Sequence, residues 1–151
     1  MKFPSSINRS QYLENVVNYI DKSIIKVFTG QRRVGKSYML YQIIALIQSK
    51  NPKANIIYIN KEDLAFSDIK NAEDLNNYIK AHKEDNTKNY IFIDEIQDIQ
   101  NFEITLRSLL LDQDYDIYCT GSNANLLSGD IAGFLSGRYI EIAVYSLSYT
   151  E

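Results

Sequence analysis

The apolar positions of this chain follow two rhythms. Short, nearly continuous apolar runs at residues 24–29 (IIKVFT), 55–59 (NIIYI), 90–93 (YIFI) and 116–120 (DIYCT) read as buried strands. Between them, apolar residues recur every three or four positions. Tyr12, Leu13, Val16, Val17 and Ile20 predict a helix over residues 9–20, with Ser10 as its cap. Met39, Leu40, Ile43, Ile44 and Ile47 predict an amphipathic helix over 36–49, stopped near Pro52. Leu75, Tyr78 and Ile79 give residues 72–83 an inner face, and 102–111 and 125–135 complete the helices. Residues 139–145 (YIEIAVY) alternate and read as a fifth strand. Strands that alternate with helices, each strand apolar on both sides, specify a parallel sheet covered on both faces.

Composition narrows the class. The 151 residues make one domain. Lys+Arg 16 against Asp+Glu 19 gives a net charge of −3, which excludes nucleic-acid wrapping by bulk charge. Six glycines and two prolines leave no linker or low-complexity tract. One cysteine, Cys119, makes no internal disulfide, and with the single His82 it makes no zinc site. Cys119 is expected as a small buried residue of its strand, and His82 as a solvated one. The start lacks the apolar core of a signal peptide, and no apolar stretch is long enough to span a bilayer. The chain therefore reads as cytoplasmic. Its last residues suggest a fragment of something longer.

The glycines fall in two places, and the first carries the chemistry. Gly30, Gln31, Arg32, Arg33, Val34, Gly35, Lys36 and Ser37 match G-x-x-x-x-G-K-[ST], after a strand and opening a helix, with Tyr38 next. A strand delivers such a loop to the carboxyl edge of the sheet. There its backbone N–H groups and the helix N-terminus form an anion nest for nucleotide phosphates. Lys36 would bridge the β and γ phosphates and Ser37 would offer a hydroxyl to Mg²⁺. The run YIFIDE ends on two acids: Asp94 to hold Mg²⁺ with Ser37, and Glu95 to polarise an attacking water. The alternative is a strand end that caps the next helix. The fourth strand runs into Gly121, Ser122 and Asn123. If that strand lies between the loop strand and the acidic strand, Ser122 or Asn123 senses the γ-phosphate; otherwise they cap a helix.

Arginine is the rarer cation, five against eleven lysines. Arg138, after Gly137, is placed to reach a γ-phosphate in its own chain or a neighbour's, against the alternative of a solvated strand start. Arg32 and Arg33 touch phosphate, base surroundings or a partner, Arg32 more simply being exposed. Arg9, which precedes the first helix, is a candidate to line the base pocket. Residues 60–63 (NKED) match the guanine-reading N-K-x-D, but they precede the acidic strand rather than follow it. The expected base is therefore adenine.

GQRRVGKS, YIFIDEIQ, TGSN and LSGRYIEI, in that order, resemble the AAA-type P-loop ATPases of bacteria and archaea with an RRxGK phosphate loop. The resemblance runs through essentially the whole chain. It implies an α/β three-layer sandwich around a mainly parallel five-stranded sheet of order 5-1-4-3-2. It implies ATP and Mg²⁺ as cofactors, Lys36 and Ser37 on phosphate and metal, Asp94 and Glu95 as the acidic pair, and Ser122 as sensor. Arg138 aligns with the family's glycine–arginine. The family's usual C-terminal domain, resembling restriction endonucleases, is missing, so the chain is expected to be a truncated ATPase domain. Expected partners are ATP and ADP, a second copy of the chain, and a DNA or protein target reached through that missing region, with no membrane. A nucleotide-dependent switch with little turnover of its own is the competing reading. A small-molecule kinase is disfavoured because no arginine-bearing lid stands out.

Overall fold

A computed structural model describes residues 9–122 and 126–146. Five strands alternate with five helices. They are β1 (Ile25–Thr29), β2 (Asn55–Asn60), β3 (Asn89–Asp94), β4 (Tyr115–Gly121) and β5 (Tyr139–Ala143). The helices are α1 (Ser10–Val17), α2 (Lys36–Lys50), α3 (Ala72–His82), α4 (Phe102–Leu109) and α5 (Gly129–Phe134). The strands pair side by side in the order β2-β3-β4-β1-β5, every pair parallel. That is the expected 5-1-4-3-2 read from the other edge.

The period-2 alternation of the strands divides the core. On one face, Ile57, Ile59, Ile91, Ile93, Ile117 and Cys119 pack against Leu75 and Ile79 of α3 and Leu106 and Leu109 of α4. On the other, Phe28, Tyr90, Phe92 and Tyr118 pack against Met39, Leu40, Ile43 and Ile44 of α2 and Val16 of α1. Phe92 and Tyr118 are register partners and stack with centroids 4.7 Å apart. Each buried Ile, Leu or Phe contributes about 1.5–3 kcal/mol of transfer free energy. Burial raises the Cys119 thiol to about 12, so this cysteine is a protonated core residue, as expected.

Three boundaries depart from the sequence pattern. Ser10 opens α1 rather than capping it; Arg9 is the N-cap, with no side-chain cap bond. β5 ends at Ala143, and its edge position leaves it only half-buried. α5 is shorter than residues 125–135 suggest, and Asn125 lies outside the described residues.

Candidate nucleotide site

The carboxyl edge of the sheet collects the predicted groups. β1 delivers Thr29, the loop turns over Gln31, Arg32 and Arg33, and α2 begins at Lys36. Two glycines make the turn possible. Gly30 has φ +150°, and a Cβ there would collide with the Val144 carbonyl oxygen. Gly35, the N-cap of α2, has φ +97° in the left-handed region. Arg33 is also left-handed, at φ 68°. Gln31, Arg32 and Arg33 are exposed, Val34 and Lys36 buried.

Lys36 donates to the carbonyls of Gly30 at 2.8 Å and Gln31 at 2.7 Å, its ammonium folded into the turn. Burial pulls its pKa below that of free lysine, against the raising pull of Glu95 and Asp94. Ser37, the second residue of α2, donates to Asp94 Oδ2 at 2.5 Å. Tyr38 is half-exposed and packs edge-on to Tyr41, away from these groups.

Period 2 puts Asp94 on the α2 face of β3 and Thr120 on the same face of neighbouring β4. Thr120 Oγ1 donates to Asp94 Oδ1 at 2.5 Å and accepts the Glu95 N–H at 2.9 Å. The Tyr58 hydroxyl lies 3.5 Å from Asp94 Oδ2. Glu95 leaves β3 with φ 58°, a conformation that costs a side-chain-bearing residue free energy and clusters at functional sites. Its Oε2 accepts from Ser122 Oγ at 2.8 Å and from Gln97 Nε2 at 2.5 Å. The buried Gln97 Oε1 has no hydrogen-bond partner among the described residues. Thr120 and Gln97 went unnoticed in the sequence. Gln97 had a signal, its place two residues after Glu95, but its reach depends on the left-handed turn between them.

Lys36, Ser37, Asp94, Glu95 and Ser122 are thus brought together. Asn123 lies outside the described residues. Arg138 is not brought to this site. It immediately precedes Tyr139, the register partner of Ile25, and its carbonyl accepts the Ile25 N–H at 2.8 Å. Arg138 therefore sits at the amino edge, separated from the loop by the length of β1, about 13 Å at about 3.3 Å per residue. Gly137 starts a strand here; it does not return the chain to the ligand edge, so action within the same chain is corrected. There Arg138 joins Arg107, Ser23 and Leu111 around an open depression.

Arg9 is 3% exposed, and its guanidinium is committed to the backbone carbonyls of Val34 and Tyr145, a placement at the loop's flank. His82 is exposed and stacks on Tyr78. Asn60 ends β2, an edge strand three places from β1, and Lys61 donates to the Phe66 and Ile69 carbonyls. The guanine-like motif pins its own loop.

The donor set suits a hard divalent cation: a hydroxyl and a carboxylate held together, with a second carboxylate beside them. Among the described residues, neither Asp94 nor Glu95 forms an ion pair with a lysine or arginine.

No helix among the described residues is long and apolar enough to cross a membrane. Solved structures with a similar fold include Cdc6p from Pyrobaculum aerophilum (TM-score 0.64, 14% identity, 92% of this chain and 47% of that one). PCH-2 of C. elegans is another (TM-score 0.60, 16% identity, 89% and 40%). Drosophila ORC bound to DNA is a third (TM-score 0.58, 14% identity, 93% and 91%). At these identities the likeness is one of fold. In sequence, the chain is 40% identical over 147 residues to an uncharacterized protein of Haemophilus influenzae, covering 96% of this chain and 37% of that protein. It is 41% identical over 128 residues to an uncharacterized protein of Methanocaldococcus jannaschii, covering 84% of this chain and 27% of that protein. The chain thus spans well under half the length of these relatives. A family model described as AAA domain matches residues 22–151, from just before β1 to beyond β5, and takes in the loop, the acidic pair and Ser122. With its parallel sheet and phosphate loop, the chain belongs to that AAA family of nucleotide-binding, ATPase-type P-loop domains.

Proposed function

We propose that this domain binds ATP with Mg²⁺ and hydrolyses the β–γ phosphoanhydride. The observation that carries the reading is the convergence, on one sheet edge, of Lys36, Ser37, Asp94, Glu95 and Ser122 from three segments distant in sequence. The loop N–H groups and the N-terminus of α2 cradle phosphate oxygens. Lys36 exchanges its two carbonyl acceptors for the β and γ phosphates. Ser37 and Asp94 hold Mg²⁺, which supplies positive charge against the phosphates when bound. Glu95 takes the proton of the attacking water, and Ser122 turns toward the γ-phosphate. Bound ATP would meet Gly30 through Ser37 first. Arg138 acts on a neighbouring copy's nucleotide and not on its own.

A second reading is favoured by the same geometry. Glu95 Oε2 already accepts from Ser122 and Gln97. A domain whose base is held this way works as a nucleotide-dependent switch, slow to turn over without a partner. We read the chain as one part of a longer protein, in the cytoplasm, with DNA or a protein target met through the remainder. The ORC structure bound to DNA makes DNA worth testing, but a net charge of −3 gives this domain no electrostatic footprint for it.

Calorimetry with ATP·Mg²⁺ tests the reading. Wild-type protein binds and Lys36→Ala does not, with the fold retained because the bonds Lys36 makes go to carbonyls of its own loop. GTP competes with ATP poorly. Equal affinity in the variant removes the phosphate-loop assignment, and stronger competition by GTP reverses the base assignment.

A further inference from the structure

Arg9 stands 21 residues before the phosphate loop, yet it touches the loop directly. Its Nη1 donates to the Val34 carbonyl at 2.7 Å and its Nη2 to the Tyr145 carbonyl at 2.7 Å. Its backbone N–H meets Gln42 Oε1 of α2 at 3.3 Å, and its guanidinium lies 4.5 Å from the centre of the Tyr12 ring. The Tyr12 hydroxyl accepts the Tyr145 N–H at 3.2 Å. The same strand exit braces the other end of the loop: the Val144 N–H donates to the Thr29 carbonyl at 2.7 Å, and the Val144 carbonyl lies where a Gly30 Cβ would be.

We infer that Arg9 is a positioning residue that sets the phosphate loop's open end and couples it to the segment leaving β5. The inference rests on the nucleotide reading above. A trans peptide is planar, and its C=O and N–H point in opposite directions; the described backbone has no cis peptide. When Arg9 holds the Val34 carbonyl outward, the N–H of the same peptide, that of Gly35, is turned inward, to the cradle beside Lys36. Gly35 at φ +97° has no Cβ to hold that plane by packing, so an outside anchor is needed. Charge-assisted bonds are the stronger class, and the one to Val34 is buried. The second arm gives the coupling. Because one planar, rigid guanidinium serves both carbonyls, a phosphate that fixes the Val34–Gly35 peptide also fixes Tyr145. The chain beyond β5 thereby becomes sensitive to nucleotide.

The test is calorimetry of ATP·Mg²⁺ with wild type, Arg9→Lys and Arg9→Ala, together with hydrogen exchange of residues 143–146 with and without ATP. Arg9→Ala is expected to bind roughly tenfold more weakly, and Arg9→Lys to fall between it and wild type because an ammonium lacks the fork. ATP is expected to slow exchange at Val144 and Tyr145 in wild type and to leave it unchanged in Arg9→Ala, a difference that simple destabilisation does not produce. If Arg9→Ala does not fold, the Arg9→Lys affinity and the wild-type exchange decide. A wild type that binds ATP without altered exchange at 143–146, or variants that bind within twofold of it, overturns the inference. A wild type that binds no ATP overturns the nucleotide reading and this inference with it, while Lys36→Ala separates phosphate-loop binding from binding elsewhere.

Discussion

Two buried aspartates lie on the same face of the same sheet, at opposite ends, and their surroundings differ in kind. Asp116, at the amino end of β4, accepts from Lys26 Nζ at 2.5 Å, the Tyr118 hydroxyl at 2.7 Å and the Asp21 N–H at 2.9 Å. Lys26 and Asp116 have fully buried side chains, and the Tyr90 hydroxyl closes the cluster on Asp21. Asp94, at the carboxyl end of β3, accepts from the hydroxyls of Ser37, Thr120 and Tyr58. The nearby cation, Lys36, is turned onto its own loop. One end holds a charge pair closed on itself. The other holds two carboxylates, a lysine and, among the described residues, an unpartnered amide oxygen on Gln97 beside a glycine-bearing loop. Buried charges are stable where they are paired and hydrogen-bonded. The first cluster meets that condition internally; on the proposed reading the second would meet it with a phosphate on Lys36 and a cation on Asp94.

The sharpest way to break this contrast is at the closed end. Lys26→Met leaves Asp116 buried without its cation. Removing one partner of a buried pair costs about 3–5 kcal/mol. Thermal unfolding should shift down by many degrees, while the folded fraction binds ATP with wild-type affinity. Burial already pulls Lys26 below the usual lysine pKa, so part of that loss returns when Asp116→Leu is added. Lost nucleotide affinity in folded Lys26→Met would show that the two ends are not separate.

Thr120→Val acts at the open end with a smaller effect. The isosteric change removes the donor to Asp94 and the acceptor for the Glu95 N–H, and an orphaned buried group costs about 1–3 kcal/mol. The loss should appear chiefly as weaker Mg²⁺-dependent binding, measured with and without the metal. Equal losses with and without Mg²⁺ would mean that Thr120 serves only the fold.

Arg138→Ala should have the least effect. In dilute protein, where copies do not meet, turnover should change less than twofold, since the amino edge is remote from the loop. A larger change that is independent of protein concentration would contradict the placement.

The core architecture was legible because each strand is an apolar run bounded by turns, and because the loop motif fixes which strand end carries the ligand. The sheet order came from the family resemblance; no periodicity encodes it. Lys36, Ser37, Asp94 and Glu95 could be read because their spacing is local. Arg138 precedes its strand as the sequence suggests, and in a parallel sheet a strand start lies at the amino edge, opposite the loop. The Lys26–Asp116 pair, Thr120, and the clamp from Arg9 to Tyr145 were illegible because they join residues 90, 26 and 136 positions apart. Strand register brings the first two together, and the meeting of α1 with the chain leaving β5 brings the third.

The central claim is that the open end binds ATP·Mg²⁺ and that Glu95 performs chemistry there. Glu95→Gln keeps shape and hydrogen-bonding capacity while removing the base, and positioned general bases supply about 10²–10⁴-fold in rate. Affinity and steady-state turnover, measured side by side for wild type and Glu95→Gln in the full-length protein, give the direct test. The account predicts unchanged ATP·Mg²⁺ affinity and turnover at least roughly tenfold lower. Unchanged turnover in the variant would contradict it and leave the domain a nucleotide-dependent switch.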